Sequence, residues 1–172
     1  PRFDSEPVFG ALLDEAGGGR FRIGTATGSA GTHRYLDNTN VLETRFDSPE
    51  GSFRILDFSP RYLRNDRSYR PSKIVRIVEP LSGTPRIKVV CQPVLGWSKE
   101  PPRKVQGSNH VSYLGYDTEV RVTTDVPLSY LEGQPFALTG QKHFDFTWGE
   151  VADEALAPLC ERMLRETVRY WE

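Results

Sequence analysis

Polar and apolar residues alternate with a period of two on both sides of a turn between Arg34 and Pro60, RYLDNTNVLETRFDSPEGSFRILDFSP. On the first arm Leu42, Thr44 and Phe46 share one side and Val41, Glu43 and Arg45 the other, as in a strand with one face in a core. On the second arm Phe53 and Ile55 oppose Arg54, Leu56 and Phe58. Asp47-Ser48-Pro49-Glu50-Gly51 supplies residues that fix φ or accept a positive φ, so the pattern predicts a β-hairpin.

The same reading extends along the chain. Ser5 can cap a short N-terminal helix with Pro7 in its first turn and Val8, Phe9, Leu12 and Leu13 facing inward. Gly17-Gly18-Gly19 reads as a turn rather than a phosphate cradle, because no lysine and Ser/Thr pair follows and Arg20 to Ile23 alternate like a strand. GTATGSAG, Gly24 to Gly31, is an exposed loop tip. RYLRNDRSYRP is the most basic local stretch and reads first as a solvated or interface-forming loop. Ile74 to Val78 and Ile87 to Cys91, separated by Leu81-Ser82-Gly83-Thr84, form a second hairpin signal. Pro93 to Asn109 lacks periodicity and is expected to be a long semi-rigid loop. Further strand-like runs lie near 110–114, 119–124, 136–139 and 143–148.

About eight or nine short strands with almost no helix between them predict a mainly β fold, an antiparallel β-sandwich. The last segment, VADEALAPLCERMLRETVRYWE, changes to a period of 3.6. Pro158 belongs in its first turn, since deeper it would remove a backbone hydrogen bond. Its apolar residues, from Leu156 to Trp171, span an arc of about 180°, wider than the roughly 100° stripe of a surface helix. That excess asks for a second partner. The organisation read from this is a β-sandwich over 1–149 and the start of a connecting helix over 150–172.

Composition narrows the function classes. With 172 residues, one domain with a real core is expected. A net charge of -1 with 26% charged residues of mixed sign provides no global field for nucleic acid or an anionic membrane. Cys91 and Cys160 have no ligand spacing and read as buried free thiols in a reducing compartment. His33, His110 and His143 are scattered, so no metal or other cofactor is expected. Without a signal peptide or an apolar run of about 20 residues, a cytoplasmic location is expected. The chain begins at a proline and its last helix has no closing glycine or asparagine, so it reads as a segment of a longer protein.

PRFDS, VFGALLD and GGGRFRI, then RYLDNTNVLETRFDSPEG and DFSPR, then IVRIVEPLSG, and finally TVRYW occur in order from Pro1 to Trp171. Together these blocks resemble the N-terminal domain of bacterial trehalase-like and glucoamylase-like enzymes of glycoside hydrolase family 15. The resemblance implies a sandwich of the supersandwich type, joined by a helical linker to a catalytic α/α barrel. It further implies an inverting hydrolase of α-glucosidic bonds whose general acid and base lie about 6.5–9.5 Å apart. In that family both glutamates come from the barrel, so no catalytic residue is carried onto this chain. The expected role is an accessory domain that packs against and orients the barrel and is inactive alone. Self-association through the linker helix is a by-product expected if its apolar face is left bare.

A second reading is a carbohydrate-binding sandwich, with Trp97, Tyr62, Tyr69 or Trp148 as the flat apolar platform for a sugar ring. Trp97 reads first as a packing anchor. Asp4 and Asp57 read first as turn caps or arginine partners and second, with Arg61, as contacts to the barrel or its sugar. A third reading, a self-sufficient catalyst, requires two carboxylates facing each other across a cleft.

Overall fold

The computed structural model describes residues 4–172. The hairpin expected between Arg34 and Pro60 is the pair β3 (Leu42–Ser48) and β4 (Gly51–Phe58), after β1 (Arg20–Thr25) and the exposed β2 (Thr32–Tyr35). Phe46 lies opposite Phe53 in the register, and their rings stack 4.8 Å apart. Then follow β5 (Tyr62–Arg64), β6 (Arg67–Tyr69), β7 (Lys73–Gly83) and β8 (Arg86–Gln92). The remaining strands are β9 (Arg103–Gln106), β10 (His110–Leu114), β11 (Val120–Thr124), β12 (Phe136–Ala137) and β13 (Lys142–Trp148), before helix α1 (Leu156–Trp171).

Among the described residues these strands form three antiparallel sheets: β2-β3-β4-β7-β13-β11-β10-β9, the smaller β1-β8-β12, and the pair β5-β6. The central strands of the large sheet bury both faces. On β4, Phe53 and Ile55 join Ile87, Val89 and Cys91 of the small sheet in one core, while Leu56 and Phe58 join Leu159, Cys160 and Met163 of α1 in a second. The order is therefore small sheet, large sheet, helix. Each of Leu159 and Met163 contributes about 1.5–3 kcal/mol by leaving water. Pro158 sits in the first turn of α1, where its missing N–H costs nothing.

β13 shows the same division with a different chemistry. Its Phe144 and Phe146 enter the sheet-on-sheet core, whereas His143, Asp145 and Thr147 point to the helix side and are buried there. Lys73 of β7 meets Asp145 at 2.7 Å, with only 1% and 6% of the two side chains exposed, and Thr147 donates to the other Asp145 oxygen at 2.8 Å. On the same face a ladder of charges crosses four strands: Arg34 and Arg54 both bond Glu43, and Arg54 also bonds Glu79.

Four expectations are corrected. The N-terminal helix does not form: residues 4–19 run through turns, and Leu12 and Leu13, expected inside, are 99% and 77% exposed. The backbone there is committed elsewhere. Val8 O accepts from Val94, Gly10 N–H donates to Gly18 O, and the glycines at 17–19 let the chain close back on Gly10, where a Cβ at 18 would lie 2.4 Å from Gly10 O. The second hairpin is not a hairpin. β7 pairs with β4 and β13, and β8 pairs with β1 and β12, so the chain changes sheets at Thr84-Pro85. Gly83 makes the corner at φ +61, Thr84 N–H bonds Glu50 O, and Pro85 has no N–H to continue the ladder. The basic loop is itself a hairpin, β5-β6, turned by Asn65 and Asp66 with φ of 51° and 57°, the two positive values of a type I′ turn. The long loop after Pro93 contains a 3-10 turn at Gly96–Ser98 and edge strand β9, whose RKVQ is exposed throughout and carries no buried face to read.

Candidate functional site

The seven residues singled out in the sequence separate into four places. Asp4 and Trp148 come together at one end of the large sheet. Trp148 closes β13, and Tyr116 follows β10 after Gly115, whose φ of +118 turns the chain. The two rings meet at 64° with centroids 5.3 Å apart, forming a corner. Tyr116 donates its hydroxyl to Val94 O at 2.7 Å, and burial pushes its phenol up to about 12. Both rings line a cleft of about 460 Å³ shared with Asp4, Glu6, Leu95, Gly96 and Asp117. Gly96 is part of its construction: a Cβ there would overlap the Glu6 carboxylate, at 1.8 Å from Oε2.

Trp97 is the next residue, 63% exposed on the 3-10 turn. This turn is tied to the N-terminal loop by Lys99 and Asp14, 2.6 Å apart, and that hydrogen bond holds the Asp14 carboxyl below its ordinary value.

Tyr62, Tyr69 and Arg61 gather on the opposite side, where β5-β6 meets α1. Tyr62 is buried, and its ring centroid lies 5.1 Å from that of Tyr69. Burial raises its phenol, against the opposing effect of Arg162. Arg61 donates its backbone N–H to Thr167 Oγ1, and its guanidinium stands 5.3 Å and 5.4 Å from the rings of Tyr170 and Trp171. Beside them Trp171, Tyr35 and Leu36 line an open groove. Asp57 has a structural partner: it takes a two-pronged bond from Arg76 at 2.6 and 3.1 Å, and Arg76 also donates to Phe21 O, joining the large sheet to β1.

The sequence reading missed the polar cluster beneath α1. His143 Nδ1 faces Asp125 Oδ2 at 2.7 Å and Nε2 lies 3.6 Å from Glu161 of the helix. Burial acts to lower the imidazole pKa, but the bond to Asp125 and the two carboxylates hold it above its ordinary value. Asp125 is held low in turn: burial opposes this, and the bonds from the His143 ring and backbone outweigh it. Alternation on HFDFTW reads as a strand with a wet face; only the helix above makes that face dry. Burial raises both thiols to about 12, which keeps Cys91 and Cys160 protonated and unreactive. Among the described residues, no three His, Cys, Asp or Glu side chains are grouped to hold a metal ion.

A family model described as trehalase-like, N-terminal, matches residues 1–124. The chain belongs to this family. No curated protein and no solved structure matches it. In this trehalase-like N-terminal domain the matched segment runs to the last residue of β11 and includes Tyr116 and Asp117 of the cleft as well as the β5-β6 hairpin. Trp148, β13 and α1 follow it.

Proposed function

We propose that this trehalase-like N-terminal domain is the accessory part of a family 15-type glycoside hydrolase acting on α-glucosidic bonds with inversion. It packs against and orients a catalytic α/α barrel of the same parent protein and does not hydrolyse alone. Two unequal sheets around one core are read as the supersandwich type of this family. The observation that carries the proposal is the family membership, and the structure supplies a surface suited to the role.

That surface is the ridge of α1 and β5-β6. The helix buries Leu159, Cys160, Met163 and Thr167 against the sheet, while Leu164 and Val168 stay half-buried and Trp171 is exposed. Tyr35 and Leu63 add exposed apolar area, and Arg64, Arg67 and Arg70, on or next to the β5-β6 hairpin, add exposed charge. An apolar centre with a polar rim is the anatomy of an interface, with arginine and aromatic residues as its usual anchors.

Hydrolysis of trehalose, maltose, isomaltose and starch is measured with this chain alone and with the chain joined to the downstream sequence of its gene. Activity in the longer protein only is expected. Trp171→Ala with Tyr35→Ala in that longer protein is expected to lower its thermal stability and activity while leaving the isolated domain folded. Hydrolysis by the short chain would overturn the proposal.

A further inference from the structure

We propose that the cleft between Tyr116 and Trp148 is a saccharide-binding subsite that takes one pyranose ring of a gluco-oligosaccharide. The inference goes beyond docking and concerns the face of the large sheet that packs on the small sheet, opposite the face covered by α1.

The cleft has the features that sugar recognition requires, and they are fixed before any ligand arrives. A pyranose presents flat C–H faces and a rim of hydroxyls, so its site needs an aromatic wall and acceptors at the edge. The wall is the corner made by Trp148 and Tyr116. Tyr116 cannot swing away, because its hydroxyl is bound to Val94 O and Gly115 before it is packed under the Leu95 methyls, which would lie 3.0 Å from a Cβ. Glu6 and Asp117 supply carboxylate acceptors in the lining, and such bonds to charged acceptors are stronger than neutral ones. Gly96, with φ +58, lets the backbone come against Glu6, whose carboxylate lies where a side chain at 96 would stand. A volume of about 460 Å³ lies within the roughly 300–1,000 Å³ of small-molecule sites. Trp97, 63% exposed on the turn that carries Gly96, is outside the cleft lining and serves as the internal control.

The test is a titration of the isolated chain with trehalose, maltose and, as a polyol control, glycerol, followed by NMR. Each of the three tryptophans, Trp97, Trp148 and Trp171, gives its own indole N–H signal. Saturable shifts of the Trp148 indole and the Gly96 and Gly115 amides are expected with the sugars and not with glycerol. Asp117→Asn and Glu6→Gln should each weaken binding about tenfold, the scale of one bond to a charged acceptor, and Trp97→Ala should leave it unchanged. Trp148→Ala removes the wall; should that variant fail to fold, the two carboxylate variants still decide. The proposal is overturned if neither sugar gives a saturable shift, if Trp97 or Trp171 responds in place of Trp148, or if ethylammonium chloride reproduces the shifts at equal concentration. The last result would make the cleft a cation site. These readings use no hydrolysis, so the subsite and the accessory role fail independently.

Discussion

Removing one member of the Lys73–Asp145 pair gives the sharpest prediction about stability. Both groups are buried between the large sheet and α1, bonded at 2.7 Å, and Asp145 has its second oxygen filled by Thr147. In Asp145→Asn the Lys73 ammonium keeps its burial and loses its counter-charge, which costs about 3–5 kcal/mol. At roughly 2–4 °C per kcal/mol for a chain of this size, the melting temperature should fall by about 6–20 °C. Replacing both partners by apolar residues, Lys73→Met with Asp145→Leu, removes two desolvation costs together and should come within about 1 kcal/mol of the parent or above it. Urea unfolding of the parent, Lys73→Met, Asp145→Leu and the double variant closes the cycle. The reasoning is refuted if Asp145→Asn unfolds at the parental urea concentration, or if the double variant is as unstable as the sum of the singles.

Three further perturbations are expected to read out different parts of the fold. The His143 pKa is raised above its ordinary 6.5, so its contribution is complete below that value and is lost as pH rises through the folded value; that of Asp125, held below 3.8, is present above 3.8 and lost as pH falls through its folded value. The stability of α1 docking, followed by amide exchange, should therefore decline on the alkaline side, and His143→Gln should remove that decline. Arg76→Met frees Asp57 and Phe21 O together and should cost about 2–3 kcal/mol in urea unfolding, the scale of hydrogen bonds to a charged group. Gly51→Ala should cost more than about 1 kcal/mol by the same assay, because φ is +145 and the new Cβ would stand 2.1 Å from Ser82 O.

The legible parts of this fold were those whose neighbours are near in sequence. The β3-β4 hairpin was readable because its two arms carry the same period and its turn residues lie between them, and α1 because its period and Pro158 agree. β7 and β8 misled for the opposite reason. Two apolar runs around Leu81-Ser82-Gly83-Thr84 look the same whether the strands pair with each other or part into two sheets, and Pro85 was the residue that separates the cases. At Ser5 and Pro7 a cap signal was present, but it could not report that Val8 would bond to Val94. The cleft is half visible in the sequence: Trp148 and Asp4 stand out there for separate reasons, while Tyr116, Glu6 and Asp117 carry no motif and meet them only through the topology. The buried charges under α1 were hidden because burial of a polar strand face depends on an element that comes later in the chain.

The position of β13 separates the unit of family likeness from the unit of folding. It lies between β7 and β11, joining the half-sheet β2-β3-β4-β7 to the half-sheet β11-β10-β9. A polypeptide cut at residue 124 would hold every strand on either side of that gap and have nothing to fill it, leaving two inner edges open to other chains. During synthesis the same gap persists until Trp148 has emerged, so the earlier strands wait unpaired at their future centre while the ribosome completes the rest. A chain ended between residues 124 and 141 is therefore expected to aggregate, although the matched segment would be complete.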